Sequence, residues 1–353
     1  MKASETFLLV GLVLVTSNYG EGEHAVQSAE SSGLTRVDGL KIGHFTLSER
    51  PTGCTVVLAE AGAVAGVDVR GAAPGTRETD LLDPINTVDQ VHAIVLAGGS
   101  AFGLDAASGV MRYLEEKGIG FDVRIAKVPI VPAAILFDLA VGERPDVRPG
   151  PDCGYRAAAA ATGRAVPEGN VGAGAGATVG KSAGAKRAMK GGIGTSSIQL
   201  EDGLVVGALV AVNAWGDVID PQSGKVIAGV RTEDGKGLAD ARKLFRRGEI
   251  RQGNWGRSTT IGVIGTNAKL TKAQATKVAQ MAHDGLARAI EPAHTPVDGD
   301  TLFALSTGTW TNDAELMLIG ELAAQATAEA IIRAVEKAEG IPGYPAARDL
   351  GQK

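Results

Sequence analysis

An α/β fold is the class this sequence predicts, and three observations predict it. The apolar segment Ala93-Ile94-Val95-Leu96 runs into Gly98-Gly99-Ser100 and then into Leu104, Ala107, Met111 and Leu114 at helical spacing, which makes one strand, glycine turn and helix unit. Two long apolar runs rich in β-branched residues, from Leu204 to Val212 and from Thr259 to Ala268, read as core strands. Two stretches near the C-terminus, opening at Thr271 and at Asn312, carry apolar residues at the helical period.

The 353 residues suffice for two domains or for one large α/β body, and length alone does not choose. Glycine and alanine dominate and only 4% of residues are aromatic, so the interior is expected to bring backbone close to backbone. A net charge of −5, with no Lys/Arg block interleaved with aromatics, argues against a nucleic-acid partner. Cys54 lies in an apolar run and reads as a small buried thiol, and a disulfide framework is not expected from Cys54 and Cys153 alone. Neither cysteine has a neighbour at ligand spacing and the five histidines form no i, i+4 pair, so a zinc site is not expected.

Taken in order, residues 1–17 place Lys2 before an apolar core, Phe7 to Val15, too short to span a bilayer. Val15 and Ser17 fit the −3 and −1 positions of a signal-peptidase site. Export to the periplasm or medium with removal of this segment is the expectation, a cytoplasmic arm the alternative. Residues 18–33 are polar and read as a loose arm. From Leu34 to Val69, short apolar segments between Gly, Pro and Thr turns read as strands and hairpins, followed by a loop to Asp83. Ser100 reads as a helix cap, because a nucleophile elbow needs glycine two residues beyond the serine and Phe102 stands there. Val128 to Phe137 should line a pocket or pack internally, and an Ala-rich helix is expected near Arg156 to Thr162. The Asn170 to Lys181 run lacks the glycine a phosphate loop requires five residues before Gly180-Lys181-Ser182, since Ala175 occupies that position. Arg231 to Ser258 is charged and reads as a surface loop. Thr271-Lys272-Ala273-Gln274 is a capping-box pattern before a helix with Val278, Met281, Ala282, Leu286 and Ala289 on one face. Thr301 to Ser306 reads as a strand. The last helical stretch should run to about Glu339 with an interruption at Gly320.

Within Arg257-Ser258-Thr259-Thr260-Ile261-Gly262, a hydroxyl pair stands where a polar loop enters a core strand. On residue type alone a threonine there is an ordinary strand residue. Seven further strings occur in order: Pro51 to Leu58, Val67 to Glu78, Leu96 to Asp105, Gly169 to Lys181, Met189 to Thr195, Ala211 to Asp217, and Asp298 to Thr307. With the Thr259 stretch, they resemble the L-aminopeptidase/D-esterase family, which includes the β-aminopeptidases, from about Gly33 to the C-terminus.

The resemblance implies a layered α-β-β-α sandwich of the self-processing aminopeptidase and ornithine acetyltransferase-like type. It implies one catalytic domain over 34–353, cut between Ser258 and Thr259 into an α-chain and a β-chain, Thr259–Lys353. Thr259 would be the nucleophile, Asn213 an oxyanion donor, Asp300 the partner of the freed amine, and Asp298 a further acidic residue at the same turn. Taken without the family, Asn213 is a strand-end turn residue and Asp298-Gly299-Asp300 a solvated turn. A freed α-amine titrates near about 7.7–8.0 and could take the threonine proton. No metal or organic cofactor is needed. The family's tyrosine near Phe137 is missing, which leaves a second oxyanion donor open. Short peptides, amides or esters are the implied substrates, and a homotetramer the implied assembly, with no membrane association after export. The rivals are an ornithine acetyltransferase-like acyltransferase and a non-enzymatic Gly-rich binding protein.

Overall fold

The two long apolar runs become neighbouring strands, Val205–Asn213 and Thr259–Ala268, buried at every residue. Burial on both faces is why they read as continuous apolar runs rather than as alternating ones. The structure, a computed structural model, describes residues 1, 32–250, 258–313 and 315–350. The expected export segment, nearly all of the N-terminal arm, positions 251–257 and Ala314 lie outside the described residues.

Both strands belong to a nine-stranded sheet. Its order from one edge is Gly192–Gln199, Val205–Asn213, Thr259–Ala268, Thr301–Trp310, Gly53–Val69, Gln90–Ala97, Ala133–Ile135 and Thr76–Arg77, with Lys41–Thr46 beside Gly53–Val69. Thr259–Ala268 runs parallel to Thr301–Trp310 and antiparallel to Val205–Asn213. Where short hairpins were expected, the 17-residue strand Gly53–Val69 passes through both halves of the sheet. Its first part pairs with Gln90–Ala97 and its last with Thr301–Trp310, and a register shift between Leu58 and Ala63 separates them. Gly62, at φ +87°, supplies a left-handed residue at that irregularity.

The sheet folds over on itself. One apolar cluster joins Leu209, Ile261, Val263 and Phe303 of one half to Val57, Ile94 and Leu96 of the other. The outer face of the first half, with Val206, Val210 and Leu302, lies under the helices Lys272–Ala289 and Leu316–Glu336. The outer face of the second, with Val56 and Val95, lies under Ala106–Glu116 and Pro151–Ala159. The layers run helix, sheet, sheet, helix, as expected, with one bent sheet forming both inner layers.

Thr271 opens its helix with the expected capping box: its hydroxyl accepts from Gln274 N–H at 3.3 Å while Gln274 Oε1 accepts from Thr271 N–H at 2.9 Å, an arrangement whose cap is worth about 1 kcal/mol. Gly320 does not interrupt the last helix. A Cβ at Gly320 would lie 2.2 Å from Met281 Sδ, and one at Gly285 2.0 Å from Ala324 O, so both glycines serve a close crossing of the two helices.

Three further expectations are corrected. Cys54 is not a free thiol: it is bonded to Cys153, 99 positions away in sequence, because the helix Pro151–Ala159 packs on the strand that holds Cys54. Ser100 is not a cap: Gly99 precedes the 3-10 turn Ser100–Asp105, no side chain caps it, and Ser100 itself lies inside it at φ +56°. The charged segment from Arg231 is not all surface loop, since Ala241–Arg246 is a short helix burying Ala241 and Leu244 against Val230.

Lys190 is fully buried and donates to the carbonyls of Gly174 at 2.8 Å, Ala177 at 3.0 Å and Gly191 at 3.2 Å. It ties the Gly/Ala run to the sheet by satisfying oxygens that no water reaches. Lys190→Met should cost about 2–5 kcal/mol, because several buried acceptors lose their donor together. Thermal unfolding checks this, and an unchanged melting temperature would contradict it.

Candidate active site

All five residues expected at the site converge where three strands end. Asn213 is the last residue of its strand and faces Thr259, the first of the next, in the antiparallel register. Ser258 bridges to Asp298 in parallel fashion, just ahead of the pairing of Ile261 with Thr301. The site is buried: Ser258, Thr259, Asn213, Asp298 and Asp300 are each at most 3% exposed.

The Ser258 carbonyl accepts from two donors, Thr259 Oγ1 at 2.5 Å and the Gly299 N–H at 3.0 Å. The hydroxyl is thus held against the peptide group that precedes it. Gly299 is required there, since a Cβ would lie 2.4 Å from Ala73 O and 2.9 Å from Thr259 Oγ1.

The Asp298-Gly299-Asp300 turn is no solvated loop. Asp300 Oδ1 accepts from Thr260 N–H at 2.8 Å, and Oδ2 accepts from the backbone N–H of His294 at 3.1 Å and contacts its Nδ1 at 2.9 Å. Asp298 accepts from Trp215 N–H at 3.3 Å, Thr295 N–H at 3.0 Å and the Thr295 hydroxyl at 2.5 Å. Burial first, and then the nearby Asp300 charge, push Asp298 up to about 6.

The Asn213 amide is fixed on both sides. Its Oδ1 accepts from Thr178 N–H at 3.0 Å and from Lys181 Nζ at 2.7 Å, donors only, which sets the orientation of the amide. Its Nδ2 donates to Phe137 O at 3.0 Å. Next to Phe137, Asp138 is anchored by the fully buried Arg50 at 2.8 Å and by Thr52 Oγ1 at 2.6 Å. The ion pair holds in place the carbonyl that orients Asn213.

Sequence reasoning missed Lys181. Its Nζ also reaches Asn213 O at 2.9 Å and Ser258 Oγ at 3.4 Å. Burial pulls it down to about 7 against the upward pull of Asp298, Asp138 and Asp300. Its one sequence signal was misleading, since Gly180-Lys181-Ser182 looks like the end of a phosphate loop. His294 and the Gly299 N–H were missed for a different reason: neither a lone histidine nor a backbone amide carries a motif. Among the described residues, no group of three or more His, Cys, Asp or Glu is arranged to hold a metal ion.

The profile of Peptidase family S58 matches residues 32–348. An uncharacterized aminopeptidase of Mycobacterium tuberculosis is 43% identical over 343 residues, covering 90% of this chain and 97% of that protein. A 6-aminohexanoate-oligomer endohydrolase of a Kocuria species is 31% identical over 272 residues, covering 76% of this chain and 73% of the other. In fold, the chain is similar to the L-aminopeptidase D-Ala-esterase/amidase of Ochrobactrum anthropi, a variant of the Ntn-hydrolase fold. That match has a TM-score of 0.67 and 18% identity, covering 90% of this chain and 92% of that one.

The raised Asp298 has a consequence for stability. The folded chain holds its proton more tightly than the unfolded chain, where the carboxyl ionises near 3.8, so the stability it contributes is full below about pH 4 and lost as pH rises through about 6. The buried His44 and His283, lowered to about 4, slope the opposite way over the same window. Comparing Asp298→Asn with its parent, both carrying Thr259→Ala, isolates the carboxyl. The variant should gain about 1–3 kcal/mol on its parent between pH 4 and pH 7 in urea unfolding, and a pH-independent difference would refute the assignment.

Proposed function

The chain belongs to peptidase family S58 and is a hydrolase, and on that premise we propose that it cuts itself between Ser258 and Thr259 and then uses Thr259 to remove N-terminal residues from short peptides, amides or esters. Membership of a peptidase family rules out the non-enzymatic Gly-rich binding protein. The observation that carries the proposal is the Ser258 carbonyl, held between the Thr259 hydroxyl and the Gly299 N–H.

In the first step Thr259 Oγ1 attacks the Ser258 carbonyl carbon. The new C–O bond forms as the C–N bond breaks, and the hydroxyl proton ends on the departing nitrogen. The carbonyl oxygen, negative in the intermediate, would take its stabilisation from the Gly299 N–H, a kind of donor worth about 10²–10³ in rate. Water then cleaves the ester, leaving a carboxylate on Ser258 and a free hydroxyl and α-amine on Thr259.

That amine is the base of the second reaction. It takes the Thr259 proton as Oγ1 attacks a substrate carbonyl, passes it to the leaving amine or alcohol, and water releases the acyl group. Asn213 Nδ2 has a second hydrogen beyond its bond to Phe137 O and is our candidate donor to this oxyanion. Asp300, already bonded to Thr260 N–H, would pair with the new amine once it is protonated. Lys181 neighbours both Asn213 and Ser258 and, by donating to the Asn213 amide oxygen, keeps the Asn213 N–H side free to face the oxyanion.

The Kocuria relative is named for cutting 6-aminohexanoate oligomers, which adds ω-amino acid amides to the compounds to test. A homotetramer, and removal of residues 1–17 on export, complete the reading.

Intact mass should show two fragments for the parent chain, the second beginning at Thr259, and one uncut, inactive chain for Thr259→Ala. Gly299→Ala should accumulate precursor, since its methyl group displaces the hydroxyl. Turnover of aminoacyl amides by a chain whose Ser258–Thr259 bond is intact would overturn the mechanism. Product that forms only with an added amino-acid acceptor would turn it into an acyltransferase.

A further inference from the structure

We propose that His294 is a positioning residue for self-cleavage, acting through Asp300 on the Ser258–Thr259 peptide; the inference rests on the reading of Thr259 given above. Among the described residues, His294 is one of five non-glycine residues with positive φ, at +54°. That conformation is uncommon for a residue with a side chain, and here it lets the backbone N–H and ring Nδ1 meet a single oxygen, Asp300 Oδ2. With Oδ2 held from one side, Oδ1 is aimed at Thr260 N–H, one peptide beyond the nucleophile. The chain of contacts therefore runs from His294 to Asp300 to the backbone that carries Thr259.

The ring is fixed from behind. His283, on the helix Lys272–Ala289, packs edge-on against it at 4.8 Å between centroids and is tied to Asp68 O through Nε2 at 3.1 Å. Burial lowers His283 to about 4, so at neutral pH the supporting ring is uncharged. A loop that needed only a turn would be served by glycine or asparagine at this φ. What histidine adds is a ring donor, held by packing, at the carboxylate next to the bond to be cut.

The chain is its own substrate, so the test needs no identified ligand. Full-length His294→Gly, His294→Asn, Thr259→Ala and the parent chain are produced by rapid cell-free synthesis, and fragment formation is followed by intact mass beside thermal unfolding. His294→Gly keeps the positive φ and the backbone N–H and loses only the ring. It should cleave roughly 10- to 100-fold more slowly, the cost of a misplaced reacting group. His294→Asn tolerates the same φ and carries a side-chain N–H, so it should recover most of the rate. The His294 side chain is 21% exposed, so added imidazole should enter the space left in His294→Gly and speed cleavage there, leaving the parent rate unchanged. Parent-like cleavage by His294→Gly would overturn the proposal. So would a slow rate that neither asparagine nor imidazole restores while the melting temperature falls in step. Cleavage by Thr259→Ala would instead remove the underlying reading of Thr259, which separates the two failures.

Discussion

The Ser258–Thr259 peptide is clamped from three sides at the end of an interior strand. Thr259 faces Asn213 across an antiparallel ladder, Thr260 N–H is bound by Asp300, and the Ser258 carbonyl by Gly299 N–H. A nucleophile at a loop tip would sample many positions; one at the start of a two-sided ladder is held by its neighbours' hydrogen bonds. The clamp also survives the cut that the proposed chemistry requires. Breaking the bond before Thr259 leaves the Thr260 to Asp300 contact and the ladder to Val205–Asn213 in place, so the new terminus stays where it was made.

Small residues make this convergence possible. A Cβ at Gly71 would lie 2.3 Å from Asp298 O, one at Gly176 2.3 Å from Pro51 O, and one at Gly98 2.1 Å from Asp138 Oδ2. Each glycine belongs to one of the strings that carry the family resemblance. Those strings mark the segments whose backbones must approach one another around the buried Asp138, Asp298 and Asp300. The same logic, at lower chemical stakes, sets the crossing of the two C-terminal helices at Gly285 and Gly320.

Local signals were legible and long-range ones were not. The apolar run at Thr259, the capping box at Thr271 and the strand before Gly98 depend on nearest neighbours, and the elements formed where the sequence places them. The layer order was accessible only through the family resemblance, since no periodicity says that Gly53–Val69 serves both halves of a bent sheet. Gly320 misled because helix propensity treats glycine as a break, whereas a close helix crossing favours it. The Cys54 to Cys153 bond joins residues that only tertiary packing brings together. Lys181 and His294 escaped too, the first behind a misleading phosphate-loop pattern and the second because a lone histidine carries no motif. Their meaning lies in distances of about 3 Å, from Lys181 to Asn213, 32 positions away, and from His294 to Asp300, six positions away, and a sequence pattern contains neither.

The charges at the site point toward the cut state. Asp138 has Arg50 as its partner, which leaves Asp298 and Asp300 close together with Lys181 and His294 as the nearby basic groups. Burial opposes ionisation of Asp298 and likewise opposes the cationic form of Lys181. In the proposed scheme, scission places a new ammonium at the start of the Thr259 strand, one residue from the N–H that Asp300 already binds. An added cation there would favour the ionised form of Asp298 as well as pairing with Asp300. The uncut chain therefore holds a pair of buried carboxylates short of positive charge, and the amine released by the proposed cleavage would provide that charge whenever it holds the proton taken from the nucleophile.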